Sequence, residues 1–126
     1  MTPNVLTCSP EDEVDDVWLL MQEKAITGLP VTLNGKLVGI LTQEDLLESG
    51  FAMPTFESDK GRYRSLTKVA NIMKTQVIVV RPEVKAISVA KVMVFKDIGR
   101  VPVVDRDRKL LGIVDREDIA KIVIGK

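Results

Sequence analysis

The sequence predicts a mixed α/β (α+β) fold: two pseudo-twofold-related β-α-β-β-α repeats packed as one domain. Three observations predict it. The chain matches itself, because Val5 through Asn34 aligns with Val77 through Arg106 at an offset of 72, and Lys36 through Leu46 with Lys109 through Ile119 at an offset of 73. Each copy alternates short β-branched runs with stretches of helical periodicity. Each copy also carries a turn signal between two such runs, clearest at Asn34-Gly35. A unit of about 45 residues buries too little apolar surface to stand alone, so the copies are expected to share a core.

The elements follow in order. Val5-Leu6-Thr7 and Val77-Ile78-Val79-Val80 read as opening strands, each ended by a proline that cannot continue a ladder. Apolar residues at Val14, Val17, Trp18 and Met21, and at Ala86, Val89, Ala90 and Met93, lie on one face of a helix. Trp18 sits on that stripe and suits a core or an interface between copies better than a ligand contact. Leu29–Leu33 pairs with Lys36–Leu41 across Asn34-Gly35, and Val101–Val104 with Lys109–Val114 across Arg106-Asp107, as hairpins. A last helix opens at Thr42 in one copy and at Asp115 in the other.

Residues 1–49 therefore form the first repeat, 50–64 a linker loop rich in Gly, Pro, Ser and charge, and 65–126 the second repeat. The second repeat begins with a short helix over Val69, Ala70, Ile72 and Met73. The first has no counterpart, since the chain begins at Met1, opposite Met73. Either the chain is part of something longer or that repeat does without the helix.

Composition excludes several chemistries. The 126 residues contain no histidine, which removes His-based acid–base work, Ser-His-Asp and Cys-His pairs and His-containing metal sites. The single cysteine, Cys8, can form neither an internal disulfide nor a Cys-rich zinc site, and a reducing cytoplasm is the default expectation. Cys8 reads as a small, half-buried hydrophobe. No apolar run approaches the roughly 20 residues of a membrane-spanning helix, and Met1-Thr2-Pro3-Asn4 lacks the features of a signal peptide. Gly35 and Gly39 lack the Gly-Lys-Ser/Thr context of a P-loop. Catalytic and metal-binding residues are thus expected to be absent.

Formal net charge is zero but unevenly spread. Residues 1–49 hold 9 acids against 2 bases (−7), 50–75 hold 2 against 5 (+3), and 76–126 hold 7 against 11 (+4). That balance argues against a general nucleic-acid binder, but lets the halves attract each other or a neighbouring copy end to end. Lys60, Arg62 and Arg64 read as a solvated loop.

Gly39-x-x-Thr42-x-x-Asp45 has two readings. Thr42 and Asp45 make a helix capping box that needs no ligand. The same geometry offers a hydroxyl and free amides to a phosphate, and a carboxylate to both hydroxyls of a ribose. In the second copy Asp115 replaces the hydroxyl residue in Gly112-x-x-Asp115-x-x-Asp118. It is a good cap but puts negative charge where a phosphate would sit. Arg100, before Val101-Pro102 and aligned with Gly28, is either a solvated strand-end charge or a bidentate fork for a phosphate.

Leu29-Pro30-Val31…Leu37-Val38-Gly39-Ile40-Leu41-Thr42-Gln43-Glu44-Asp45-Leu46, repeated as Val101-Pro102-Val103-Val104-Asp105…Leu110-Leu111-Gly112-Ile113-Val114-Asp115-Arg116-Glu117-Asp118-Ile119, resembles a tandem pair of cystathionine-β-synthase (CBS) domains, a Bateman module. The resemblance covers nearly the whole chain outside residues 50–64. It implies two three-stranded sheets with helices, clefts between paired repeats, and binding of AMP, ADP, ATP or S-adenosylmethionine, usually to regulate an enzyme, channel or transporter. It also implies a homodimer. Because the clefts of the family are crossed, the resemblance assigns Thr42 and Asp45, with Val77, Ile78, Gly99 and Arg100, to a first site. In that site Val77 and Ile78 form the apolar slot for adenine. It assigns Val5, Leu6, Thr27 and Gly28, with Asp115 and Asp118, to a second, weaker site suited to an uncharged nucleoside or a sulfonium. A non-catalytic nucleotide-binding regulator is the reading that results. The alternative is an interaction or oligomerisation module with vestigial clefts.

Overall fold

The computed structural model describes residues 5–48 and 67–124. In order, the elements are α1 (Val14–Lys24), β1 (Gly28–Leu33), β2 (Lys36–Thr42), α2 (Gln43–Glu48), a 3-10 turn (Val69–Asn71), α3 (Ala86–Lys96), β3 (Arg100–Val104), β4 (Leu110–Asp115) and α4 (Arg116–Ile124). They fall into two compact units. One comprises Leu6–Asn34 and Val38–Val77, the other Met1–Val5, Gly35–Leu37 and Ile78–Lys126.

The first-named unit is built on α1, β1 and β2 from Val38 onward, while Gly35–Leu37 of the hairpin belong to the other unit. Val14, Val17, Trp18 and Met21 are all buried with Cys8, Leu29, Val31, Leu41, Leu46 and Val69. The stripe read from the sequence is thus the packed face, and Trp18 belongs to this core. The hairpin turn has φ of 54° at Asn34 and 81° at Gly35, the double left-handed pair that a two-residue turn needs to match strand twist. Gly39 meets a second constraint. A Cβ there would lie 2.8 Å from the Lys74 carbonyl oxygen and 2.8 Å from the Met73 sulfur, so only glycine lets that segment approach.

The other unit repeats the plan. β3 and β4 pair antiparallel from Arg100 opposite Asp115 to Val104 opposite Leu110, with an irregularity between Val103 and Val104. Asp105 closes the longer turn by accepting from the amides of Asp107 (2.8 Å) and Lys109 (2.9 Å). Val89, Met93 and Val101 are buried, with Val80, Ile98, Val114 and Ile119 packed against them.

The duplication extends to single hydrogen bonds. The Cys8 amide donates to the Pro30 carbonyl (3.1 Å) and the Thr32 amide to the Cys8 carbonyl (2.9 Å). At the same offset, Val80 donates to Pro102 (3.0 Å) and Val104 to Val80 (2.9 Å). Pro30 and Pro102 are tolerated because only their carbonyls are used there. These contacts also correct an expectation. Among the described residues the expected opening strands leave one parallel bridge each, made beside Val5–Thr7 by Cys8 with Val31 and at the end of Val77–Val80 by Val80 with Val103. Two two-stranded hairpins, rather than three-stranded sheets, carry the ladders among the described residues.

The short helix expected over Val69, Ala70, Ile72 and Met73 is likewise reduced, to a single 3-10 turn at Val69–Asn71, and Ser65 and Leu66 lie outside the described residues. Its amides are taken by the other chain segment, Val69 donating to Asp12 (2.9 Å) and Ala70 to Pro10 (3.0 Å), and this docks the turn rather than extending it. Residues 50–64, with Lys60, Arg62 and Arg64, lie outside the described residues. No helix among the described residues is long and apolar enough to cross a membrane.

Candidate functional site

Both capping boxes form. The Thr42 amide donates to Asp45 Oδ2 (3.0 Å) and the Asp45 amide to Thr42 Oγ1 (3.1 Å). In the second copy the Asp115 amide donates to Asp118 Oδ2 (3.1 Å) and the Asp118 amide to Asp115 Oδ1 (2.8 Å). The exchange satisfies two amides that a helix start leaves orphaned. The next amide in each copy is held by the pre-strand segment: Gln43 donates to the Thr27 carbonyl (2.9 Å) and Arg116 to the Gly99 carbonyl (3.2 Å). Thr27 and Gly99 are thereby fixed beside the helix start of their own repeat.

The two carboxylates differ in surroundings. Asp45 is buried, at 6% exposure, whereas Asp118 is half-buried. Asp45 Oδ1 also pairs with Lys74 Nζ at 3.1 Å. Asp45, by hydrogen bond first and by charge second, raises the Lys74 pKa above the ordinary lysine value. Lys74 is held at its main chain too, where it exchanges two 2.9 Å hydrogen bonds with Ile40. The sequence does not single out Lys74, which lies 29 positions from its partner. The only local signal is Gly39, whose missing side chain admits the Lys74 carbonyl.

Of the first expected set, Thr42, Asp45 and Val77 belong to one unit, and Ile78, Gly99 and Arg100 to the other. Val77 is half-buried, and Ile78 is exposed beyond it at 37%. Arg100 opens β3 half-buried, directly opposite Asp115 in the ladder. Of the second set, Leu6, Thr27 and Gly28 lie in the unit of Asp45, and Val5, Asp115 and Asp118 in the other. Leu6, at 41%, matches the exposure of its counterpart Ile78.

A depression of about 380 Å³ on the second-named unit is lined by Ala90, Met93, Val94, Asp97, Arg116 and Ile119. It contains none of the expected ligand residues, and its two charges pair with each other, Arg116 to Asp97 at 3.2 Å. Cys8 is buried at 6% exposure, and burial, with Asp12 nearby, pushes its thiol up to about 12. No group of three or more acidic or cysteine side chains that could hold a metal occurs among the described residues.

Comparison with known proteins places these observations in a family. The CBS domain profile matches residues 1–51 and 69–125. An uncharacterized protein of Methanocaldococcus jannaschii, MJ1225, is 33% identical over 124 residues, 96% of this chain and 44% of that protein. Its crystal structure superposes with a TM-score of 0.84 over 98% of this chain and 45% of the other. The CBS-pair protein CBSX2, known from Arabidopsis thaliana, was solved in complex with AMP. It is 33% identical, with a TM-score of 0.83 and coverage of 99% and 93%. The cytosolic domain of the Mg2+ channel MgtE, solved in complex with ATP, is 30% identical, with a TM-score of 0.76 and coverage of 97% and 46%. The chain spans less than half the length of the first curated relatives it matches. With its duplicated hairpins, helices and capping boxes matched by the profile in both halves, the chain belongs to the CBS domain family as a tandem pair.

Proposed function

We propose that this chain is a non-catalytic regulatory module that binds a phosphorylated adenosine ligand, AMP, ADP or ATP. The proposed ligand residues are Thr42, Asp45, Val77, Ile78, Gly99 and Arg100. The observation that carries the reading is the buried Asp45 carboxylate, held at a helix start with Thr42 and facing Lys74. Two of its roughly four lone-pair positions are engaged by these groups, which leaves acceptors for a ribose diol. CBSX2 with AMP and MgtE with ATP support an adenine nucleotide over other ligands. Asp115 and Asp118 place two carboxylates in the corresponding position of the second set, which fits an uncharged nucleoside or S-adenosylmethionine better than a phosphate. Ligand would act by its greater affinity for one arrangement of the repeats, read by an enzyme or transporter. A cytoplasmic setting fits the single, buried thiol.

Calorimetric titration of nucleotide-free protein with AMP, ADP, ATP and S-adenosylmethionine tests this. Saturable binding by the wild type, lost in Asp45→Asn, is expected. Absence of binding by every ligand at millimolar concentration refutes the reading.

One observation favours the alternative of an oligomerisation module. α3 exposes Ile87 (56%), Val94 (79%) and Phe95 (83%) around exposed Lys91, all on one helical face. At the same offset α1 carries exposed Leu19, Gln22 and Glu23 in place of Lys91, Val94 and Phe95, with exposed Asp16 one turn before Leu19, while Asp15, the counterpart of Ile87, is buried. An apolar face centred on a lysine complements an acidic face centred on a leucine, whereas pairing like with like opposes equal charges. The occupant proposed for α3 is therefore α1 of a second copy, giving a head-to-tail homodimer. Sedimentation should show a dimer that Phe95→Lys dissociates. A monomeric wild type at millimolar concentration refutes it.

A further inference from the structure

Resting on the nucleotide reading above, we infer that Lys74 is the residue that makes the Asp45 site prefer phosphorylated over unphosphorylated adenosine ligands. Three observations converge on it. Lys74 Nζ lies 3.1 Å from Asp45 Oδ1, so any sugar that reaches the carboxylate arrives beside an ammonium group. The Lys74 side chain is 58% exposed while that of Asp45 is 4% exposed, so the cation is the solvent-facing member of the pair. Its main chain is fixed by the two hydrogen bonds with Ile40, so the position of the side chain's root is set by β2.

The chemistry follows. An ammonium has three donors, and the bond to Asp45 uses one. The others can meet phosphate oxygens carried on the same sugar whose hydroxyls bond the carboxylate. In the unliganded protein Lys74 neutralises Asp45; with a nucleoside alone it meets at most a neutral hydroxyl oxygen, and with a nucleotide it gains a charged, charge-assisted partner. The second copy provides the contrast. At the offset of 72 the counterpart of Lys74 is Thr2, and Thr42 is replaced by Asp115, so neither the lysine nor the Thr42 hydroxyl recurs in the second copy's sequence. Selectivity for an anionic ligand thus separates the copies at two positions, while the capping geometry is shared.

Calorimetric titration of nucleotide-free wild type, Lys74→Met, Lys74→Gln and Lys74→Arg with AMP and with adenosine tests this. Wild type should bind AMP more tightly than adenosine. Lys74→Met and Lys74→Gln should lose about tenfold in AMP affinity, as expected for one charge-assisted contact, with adenosine unchanged or tighter; Lys74→Arg should keep the preference. Because the readout is a ratio within one protein, a loss of folding lowers both affinities and cannot imitate it, and Lys74→Gln retains a donor to Asp45. An AMP-to-adenosine ratio equal to that of the wild type in both neutral variants overturns the inference and leaves the nucleotide reading standing. Binding of neither ligand by the wild type overturns both.

Discussion

Gly39→Ala tests the packing that holds Lys74 beside Asp45. The new methyl would lie 2.8 Å from the Lys74 carbonyl oxygen, 2.8 Å from Met73 Sδ and 3.1 Å from Met73 Cγ. The thioether can rotate away. The carbonyl cannot, because the Lys74 main chain is bonded to Ile40 in both directions at 2.9 Å. Relief therefore needs the segment to move off β2. Overpacking of this kind costs about 1–3 kcal/mol, and each weakened hydrogen bond adds about 0.5–1.5 kcal/mol. The terms overlap, so a loss of about 2–4 kcal/mol is expected. At about 2.1 cal/mol/K of unfolding entropy per residue, that lowers Tm by roughly 8–15 °C. Urea unfolding by circular dichroism measures it, with Gly99→Ala as control. A Cβ at Gly99 meets nothing nearer than Arg116 Nε at 3.8 Å, so alanine there should be neutral or stabilise by about 0.4–1 kcal/mol through the unfolded state. If Gly39→Ala costs less than the lower bound, or the two substitutions cost the same, the close-approach argument is wrong.

The remaining predictions concern groups away from the ligand residues. At pH 8 the Cys8 thiol, raised from 9.0 to about 12, should react with a disulfide reagent about 30–60-fold more slowly in the folded protein than in urea, after the higher nucleophilicity of a more basic thiolate is allowed for; equal rates would contradict its burial. The sign for stability follows, since a raised thiol pKa contributes fully below pH 9 and is lost between pH 9 and about 12. The wild type should therefore lose stability in that window, as seen by chemical denaturation at stepped pH. Ala25→Gly should stabilise the protein by about 0.5–1 kcal/mol, because Ala25 adopts φ 54° at the end of α1, where glycine carries no steric cost. Melting temperature reads this, and a drop would contradict it.

Much of this architecture is legible in the sequence because it is locally encoded. The stripe Val14, Val17, Trp18 and Met21 became the buried face of α1, Asn34-Gly35 became the left-handed turn, and Thr42 and Asp45 exchanged the expected hydrogen bonds. What was not legible depends on partners distant in sequence. Val5–Thr7 has strand-forming residues, but whether they pair is decided by a neighbouring strand, which offers Cys8 one bridge. Val69–Asn71 stops at one turn because the Lys74 amide, which would continue a helix by bonding Ala70, donates to the Ile40 carbonyl instead. The left-handed ends at Ala25 and Asp97 carry no glycine to announce them. They hold because both close the same pair of bonds, Ala25 to Gln22 and Ile26 to Met21, then Asp97 to Val94 and Ile98 to Met93, and because Ile26 and Ile98 pack on the cores.

The division between shared and divergent features bears on what the duplication is for. Caps, the amides that follow them, parallel bridges and helix ends recur at the offset of 72 or 73 to within single hydrogen bonds, and all of them satisfy main-chain groups that any occupant of this fold must satisfy, whereas the hairpin turns differ. Among their many differences, four change side-chain charge over that frame: Thr42 against Asp115, Lys74 against Thr2, Gly28 against Arg100, and Leu19 against Lys91. None of these four exchanges is needed to form a helix or a hairpin. Folding requirements therefore account for what the copies share, and the proposed recognition, of an anionic ligand by one copy's acid–base pair and of a second chain by α3, would account for these four differences.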